Sequence, residues 1–167
     1  MAKTAPSRRP DGHGLRVAVL RSSFNAGVVE GLTQGAVQAL REMGTAAGSI
    51  TTLDVPGAFE LPLAARAAAL SGRFDAVVAL GAVIRGETDH YEHIAREAAA
   101  GLAAASRETG VPVGFGVLTV ADEGQARARS GPGPGNKGAE AARAAVAMVH
   151  LLRALRPQQP RARRGAR

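Results

Sequence analysis

The chain has 167 residues, which suits one domain with a single core. It has no Cys, which excludes disulfides, thiolate catalysis and zinc–sulfur sites. The net charge of +7 resembles a nucleic-acid signal, but residues 15–155 carry 13 basic and 13 acidic side chains, so all the excess lies at the two ends.

Those ends, 1–14 and 156–167, are rich in Pro and Arg and are expected to be disordered tails around one domain, 15–155. Basic tails can touch RNA; solvated ends are the favoured reading, so no nucleic-acid partner is expected. No apolar run reaches the ~18–20 residues of a membrane span, and the polar start lacks a signal-peptide core. The expectation is a soluble, cytoplasmic protein without a membrane partner.

Along the chain, "LRVAVLRS" (15–22) reads as a strand and 28–43 as a helix stopped at Gly44. "SITTLDV" (49–55) is a second strand, followed by a helix over about 60–71 that ends at Gly72. "FDAVVALGAVI" (74–84) is a third, and a helix spans about 89–108 before Gly110 and Pro112. "VPVGFGVLTV" (111–120) is the fourth, with a short helix near 122–129, a Gly/Pro loop, and a last helix over 138–155. Strand–helix alternation at this spacing predicts parallel strands with helices on both faces. The fold class is a three-layer α/β/α sandwich around a parallel four-stranded sheet.

Ligands of such sheets bind beyond the carboxyl ends of the strands. "SSFNAG", "PGAFE", "RGETDH" and "ADEG" follow the four strands and should meet there. Only four Phe are present, and Phe24 and Phe59 fall at these helix-entry turns, where a core Phe is not expected. Two at one rim suit a flat, apolar ligand ring.

The third turn concentrates polar chemistry. Asp89 with Glu92 resembles a capping pair, with Thr88 as an alternative N-cap. The N–H groups of Gly86, Glu87 and Thr88 at the helix start would favour an anion, above all phosphate. His90, in the first turn beside them, suits acid/base work; the bland alternative is an idle surface His. His90, His93 and Glu97 share a helix face, but no fourth ligand with metal-site spacing accompanies them, and no metal is expected. "SGPGPGNKG" (130–138) fails as a P-loop, because Lys137 is followed by Gly138 and no strand precedes it. Arg127, Arg129 and Lys137 remain candidate phosphate cations.

Taken together, "SSFN", "VPGAFELP", "DAVVALGAVIRGETDHYEHI", "VPVGFGVLT" and "GNKGAEAA" resemble, in order and spacing, the 6,7-dimethyl-8-ribityllumazine synthases of riboflavin biosynthesis. The resemblance covers about 15–155. It implies a flavodoxin-like fold and a transferase that condenses 5-amino-6-(D-ribitylamino)uracil with 3,4-dihydroxy-2-butanone 4-phosphate. The products are the lumazine, phosphate and water, and no cofactor is used. It further implies pentamers with active sites between adjacent subunits, in many members closed into a 60-subunit icosahedral shell, and leaves open an association with riboflavin synthase.

By the same resemblance, Phe24 stacks on the pyrimidine, while Ala58, Phe59 and Glu60 hold the ribityl chain and ring edge. Val83 and Ile84 offer backbone contacts, Gly86, Glu87 and Thr88 form the phosphate-binding helix start, and His90 shuttles protons. Phe115 is donated by a neighbouring subunit, Arg129 holds the phosphate, and Lys137 lies near the site. Arg127 takes the role of Arg129 under a small shift in alignment. Glu87 departs from the small residue common at its position. The loop before "GNKG" has extra prolines but an unchanged length, which favours the shell over a lone pentamer. The alternative reading is an inactive shell-forming or flavin-binding paralogue.

Overall fold

The computed structural model describes residues 9–156. In chain order the elements are β1 (Val17–Ser22), α1 (Ala26–Glu42), β2 (Ile50–Val55), α2 (Leu61–Leu70), β3 (Ala76–Ile84), α3 (His90–Thr109), β4 (Val113–Val120), α4 (Glu123–Ser130) and α5 (Lys137–Leu155). The four strands form one sheet in the order β2–β1–β3–β4, and every pairing is parallel. The expected α/β/α sandwich is therefore what the chain adopts.

Alternation along the strands divides the core in two. Val17 and Val19 of β1 and Ala76, Val78 and Leu80 of β3 point to the face covered by α1, α4 and α5. Ala18, Leu20, Val77 and Ala79 point to the face covered by α2 and α3. A strand buried on both faces has no polar alternation, so β3 reads in the sequence as an unbroken apolar run. Leu20, Leu32, Leu40, Leu61 and Leu80 are among the largest fully buried side chains. Truncating any one to Ala is expected to cost about 2–5 kcal/mol.

Two helix stops carry the glycines that the sequence places there. Gly44 (φ 96°) and Gly110 (φ 70°) are left-handed, a conformation that L side chains resist. Residues 10–14 run against the end of α1, where the Gly12 N–H donates to the Met43 carbonyl at 2.7 Å. Of the two basic tails, residues 1–8 and 157–167 lie outside the described residues.

The order β2–β1–β3–β4 fixes where a site can form. The chain moves outward from β1 to β2, then returns past β1 to β3 and β4. The direction reverses between β1 and β3, and loops leaving their carboxyl ends must diverge, opening a crevice.

Candidate active site

That crevice is a cavity of about 540 Å³. Phe24 and Asn25 enter from the end of β1, and Gly57, Ala58, Phe59 and Glu60 from the turn after β2. Ala82, Val83 and Ile84 come from the end of β3, and His90 and Ile94 from α3. Seven residues expected from the sequence thus share one cavity: Phe24, Ala58, Phe59, Glu60, Val83, Ile84 and His90.

The two phenylalanines are 73% and 55% exposed at Phe24 and Phe59, so neither serves the core of the chain. Asn25 explains how Phe24 is held out. Its backbone is left-handed (φ 55°, ψ 49°), which Asn tolerates better than most side chains. Its Nδ2 donates to the Ala82 carbonyl at 2.8 Å, which joins the turn after β1 to the end of β3. Asn25 and Ile94 were not singled out in the sequence. The signal for Ile94 was its place one helical turn beyond His90; for Asn25 it was an Asn just before a helix.

The start of α3 differs from expectation in one respect. Asp89 stands at the N-cap position but has helical backbone angles (φ −72°, ψ −2°) and makes no side-chain cap. An N-cap needs extended angles to turn its carboxylate back onto the helix, so no capping box forms with Glu92. Glu92 instead faces Arg85, with Oε1 3.8 Å from Nη2. The β3 ladder ends where the Arg85 N–H donates to the Val120 carbonyl. Among the described residues, the N–H groups of Gly86, Glu87 and Thr88 then make no hydrogen bond. Unclaimed donors beside the positive end of a 20-residue helix suit an anion.

The remaining candidates lie elsewhere on the subunit. Phe115, 47% exposed, and Lys137 line a separate groove of about 670 Å³ between β4, α3 and α5, which also holds Met148 and Leu152. The Lys137 Nζ is paired with Glu140 at 2.8 Å. Arg129 donates from Nη1 to the Gln125 carbonyl at 3.0 Å. Arg127 lines a hollow next to the cavity, sharing Asn25 and Ile84 with it, but its guanidinium is held by Glu123 at 2.6 Å. The chain therefore brings aromatic and acid/base candidates together in one cavity, with the helix-start donors in the turn just before His90, and carries its other candidate cations and Phe115 outside that cavity. Among the described residues, no three His, Cys, Asp or Glu side chains converge on a metal position.

A parallel α/β domain with an aromatic-rimmed cavity at its topological switch point, next to a histidine and free helix-start donors, belongs to the class of small-molecule enzymes of this layout. Comparison with known proteins narrows the class. Residues 14–153 match the family described as 6,7-dimethyl-8-ribityllumazine synthase. The chain is also 51% identical over 142 residues to the 6,7-dimethyl-8-ribityllumazine synthase of Edwardsiella ictaluri, covering 84% of this chain and 91% of that protein. The chain belongs to the 6,7-dimethyl-8-ribityllumazine synthase family.

Proposed function

We propose that the protein condenses 5-amino-6-(D-ribitylamino)uracil with 3,4-dihydroxy-2-butanone 4-phosphate to give 6,7-dimethyl-8-ribityllumazine, and that the cavity between Phe24 and His90 is where it does so. The single observation that carries this reading is the meeting of two exposed phenylalanines and His90 around one 540 Å³ space, with unclaimed N–H groups in the turn that leads into the His90 helix. A flat pyrimidine is stacked by Phe24, and its ribityl chain runs along Ala58, Phe59 and Glu60. The backbone of Val83 and Ile84 reads the ring edge. The phosphate of the second substrate rests on the N–H groups of Gly86, Glu87 and Thr88.

His90 then handles protons in three places. The 5-amino group attacks the ketone, and water leaves as the imine forms. Phosphate leaves with the C–O bond electrons. The ribitylamino nitrogen closes the second ring with loss of another water. Each step moves a proton near neutral pH, which suits imidazole. Holding both reactants in one site supplies much of the rest.

The same reading makes the protein a ring of identical subunits. Phe59, in the turn before α2, and Leu63 and Leu70 of α2 expose apolar surface, while Phe115, Met148, Leu151 and Leu155 expose more along β4 and α5. Two different apolar faces on one subunit suit head-to-tail contacts, which close into a ring. Phe115, Arg129 and Lys137 are then the neighbour's contribution to the cavity, with Arg129 and Lys137 on the phosphate. A pentamer, assembled further into a 60-subunit shell, is the form proposed. Cytoplasmic location rests on the sequence expectation, and association with riboflavin synthase on the family alone.

The test is lumazine formation from the two substrates, followed by absorbance or fluorescence. Product formation is expected. Folded protein that binds riboflavin tightly and makes no lumazine is instead the inactive paralogue.

A further inference from the structure

We propose that Asn136 is a positioning residue that sets Arg129 and Lys137 for the substrate phosphate, an inference that rests on the functional reading above. Asn136 is 3% exposed, among the few buried polar side chains of the chain. Its Nδ2 reaches the carbonyls of Gly31, Ser130 and Gly131, each at 3.0 Å. Two hydrogens serve three acceptors, so at least one bond is shared. Its Oδ1 accepts from the Ala139 N–H at 3.0 Å and caps α5. One side chain thus ties together the middle of α1, the last turn of α4 and the first turn of α5.

The residues at stake flank these anchor points. Arg129 directly precedes Ser130, whose carbonyl Asn136 holds, and Lys137 directly follows Asn136 itself. Between them lies "GPGPG" (131–135), where Pro132 and Pro134 have no N–H to donate. Its own backbone bonds are local: Gly131 N–H to the Arg127 carbonyl, and Asn136 N–H to Gly133. Among the described residues, the hydrogen bond that joins this loop to α1 is the one from Asn136 to Gly31. The niche that receives Asn136 is built into α1. At Gly35 a Cβ would collide with the Asn136 amide, and at Gly31 with the Ser130 carbonyl. Capping α5 alone would need only Oδ1, and Ser or Asp would serve. The donor lace on Nδ2 is what fixes the spacing of the two cations.

The experiment compares Asn136→Ser and Gly35→Ala with the wild-type and Arg129→Ala in the full-length enzyme, measuring KM for each substrate, kcat and thermal midpoint. Asn136→Ser keeps a capping oxygen and loses the lace. Gly35→Ala displaces the amide from outside, in a helix that itself prefers Ala. Both are expected to raise KM for the phosphate substrate about tenfold, with KM for the pyrimidine within about twofold of wild type. Loss of active protein with both KM values unchanged, or an equal rise in both, overturns the positioning role. If Asn136→Ser does not fold, Gly35→Ala decides in the same way. Arg129→Ala separates the two levels of the inference. If it leaves the phosphate-substrate KM unchanged, the reading of Arg129 fails; if it raises KM while neither Asn136→Ser nor Gly35→Ala does, the role of Asn136 fails.

Discussion

His90 is the residue proposed to carry the chemistry, because it is the imidazole in the cavity, on the first turn of a helix preceded by unclaimed N–H donors. Removing a positioned acid/base typically costs two to four orders of magnitude, so His90→Ala should lower kcat by about 10²-fold or more and leave both KM values nearly unchanged. Steady-state lumazine assays at saturating substrate read this directly. Glu87 is the residue that sits least well with a phosphate. Its exposed carboxylate stands beside the proposed anion position, and opposite effects follow from charge and backbone. Glu87→Gln keeps the N–H and removes the charge. It should lower KM for the phosphate substrate about two- to threefold at low salt, with the difference shrinking as salt screens the site. A rise in KM would mean that the carboxylate itself assists binding.

At the scale of elements, the amino ends of the strands are held by a polar clamp opposite the cavity. Asp75, just before β3, accepts from the Arg16 N–H at 2.8 Å, and its carboxylate also lies 3.6 Å from Arg153 of α5. Burial pushes the Asp75 carboxyl up, but the Arg16 N–H, the Arg16 guanidinium and Arg153 outweigh it and hold it below the usual carboxylate range. A carboxyl depressed in the folded state stabilises the fold above its unfolded pKa of about 4 and loses that stabilisation as pH falls through the folded value. Asp75→Asn should therefore cost about 1 kcal/mol at pH 7, allowing for partial exposure, and the gap to wild type should narrow as pH falls below the ordinary carboxylate range. Unfolding midpoints in urea across that range give the answer. The same scale explains what could be read in advance. β1 and β3 were legible because burial on both faces makes them largely apolar, β2 and β4 by their β-branched and alternating residues, and Gly44, Gly72 and Gly110 marked the helix ends with positive φ. Phe24 and Phe59 were legible as rim residues because aromatics are scarce. The missing cap at Asp89 was not legible, since its helical backbone angles are set by the turn from β3 rather than by the local sequence. Nor was the separation of Lys137 from the cavity, which depends on how α5 lies across the sheet and leaves no trace in spacing along the chain; for Phe115 only the family resemblance implied it.

For the whole molecule, the decisive feature is that one chain exposes an aromatic cavity on one side and candidate cations with Phe115 on others. If head-to-tail assembly joins them as proposed, native mass should come out as a multiple of five subunits of 17.0 kDa. A lone subunit that makes lumazine at full rate would contradict this. The most direct measurement is complementation between two damaged subunits. His90→Ala and Arg129→Ala proteins are co-expressed in equal amounts and assayed for lumazine at a low concentration of the phosphate substrate. If a site takes His90 from one subunit and Arg129 from its neighbour, about a quarter of the sites in a random mixed ring regain both groups. The mixture should then show about a quarter of wild-type activity, well above either variant alone. Activity no greater than the average of the two separate variants would contradict a lumazine synthase site built across the subunit boundary.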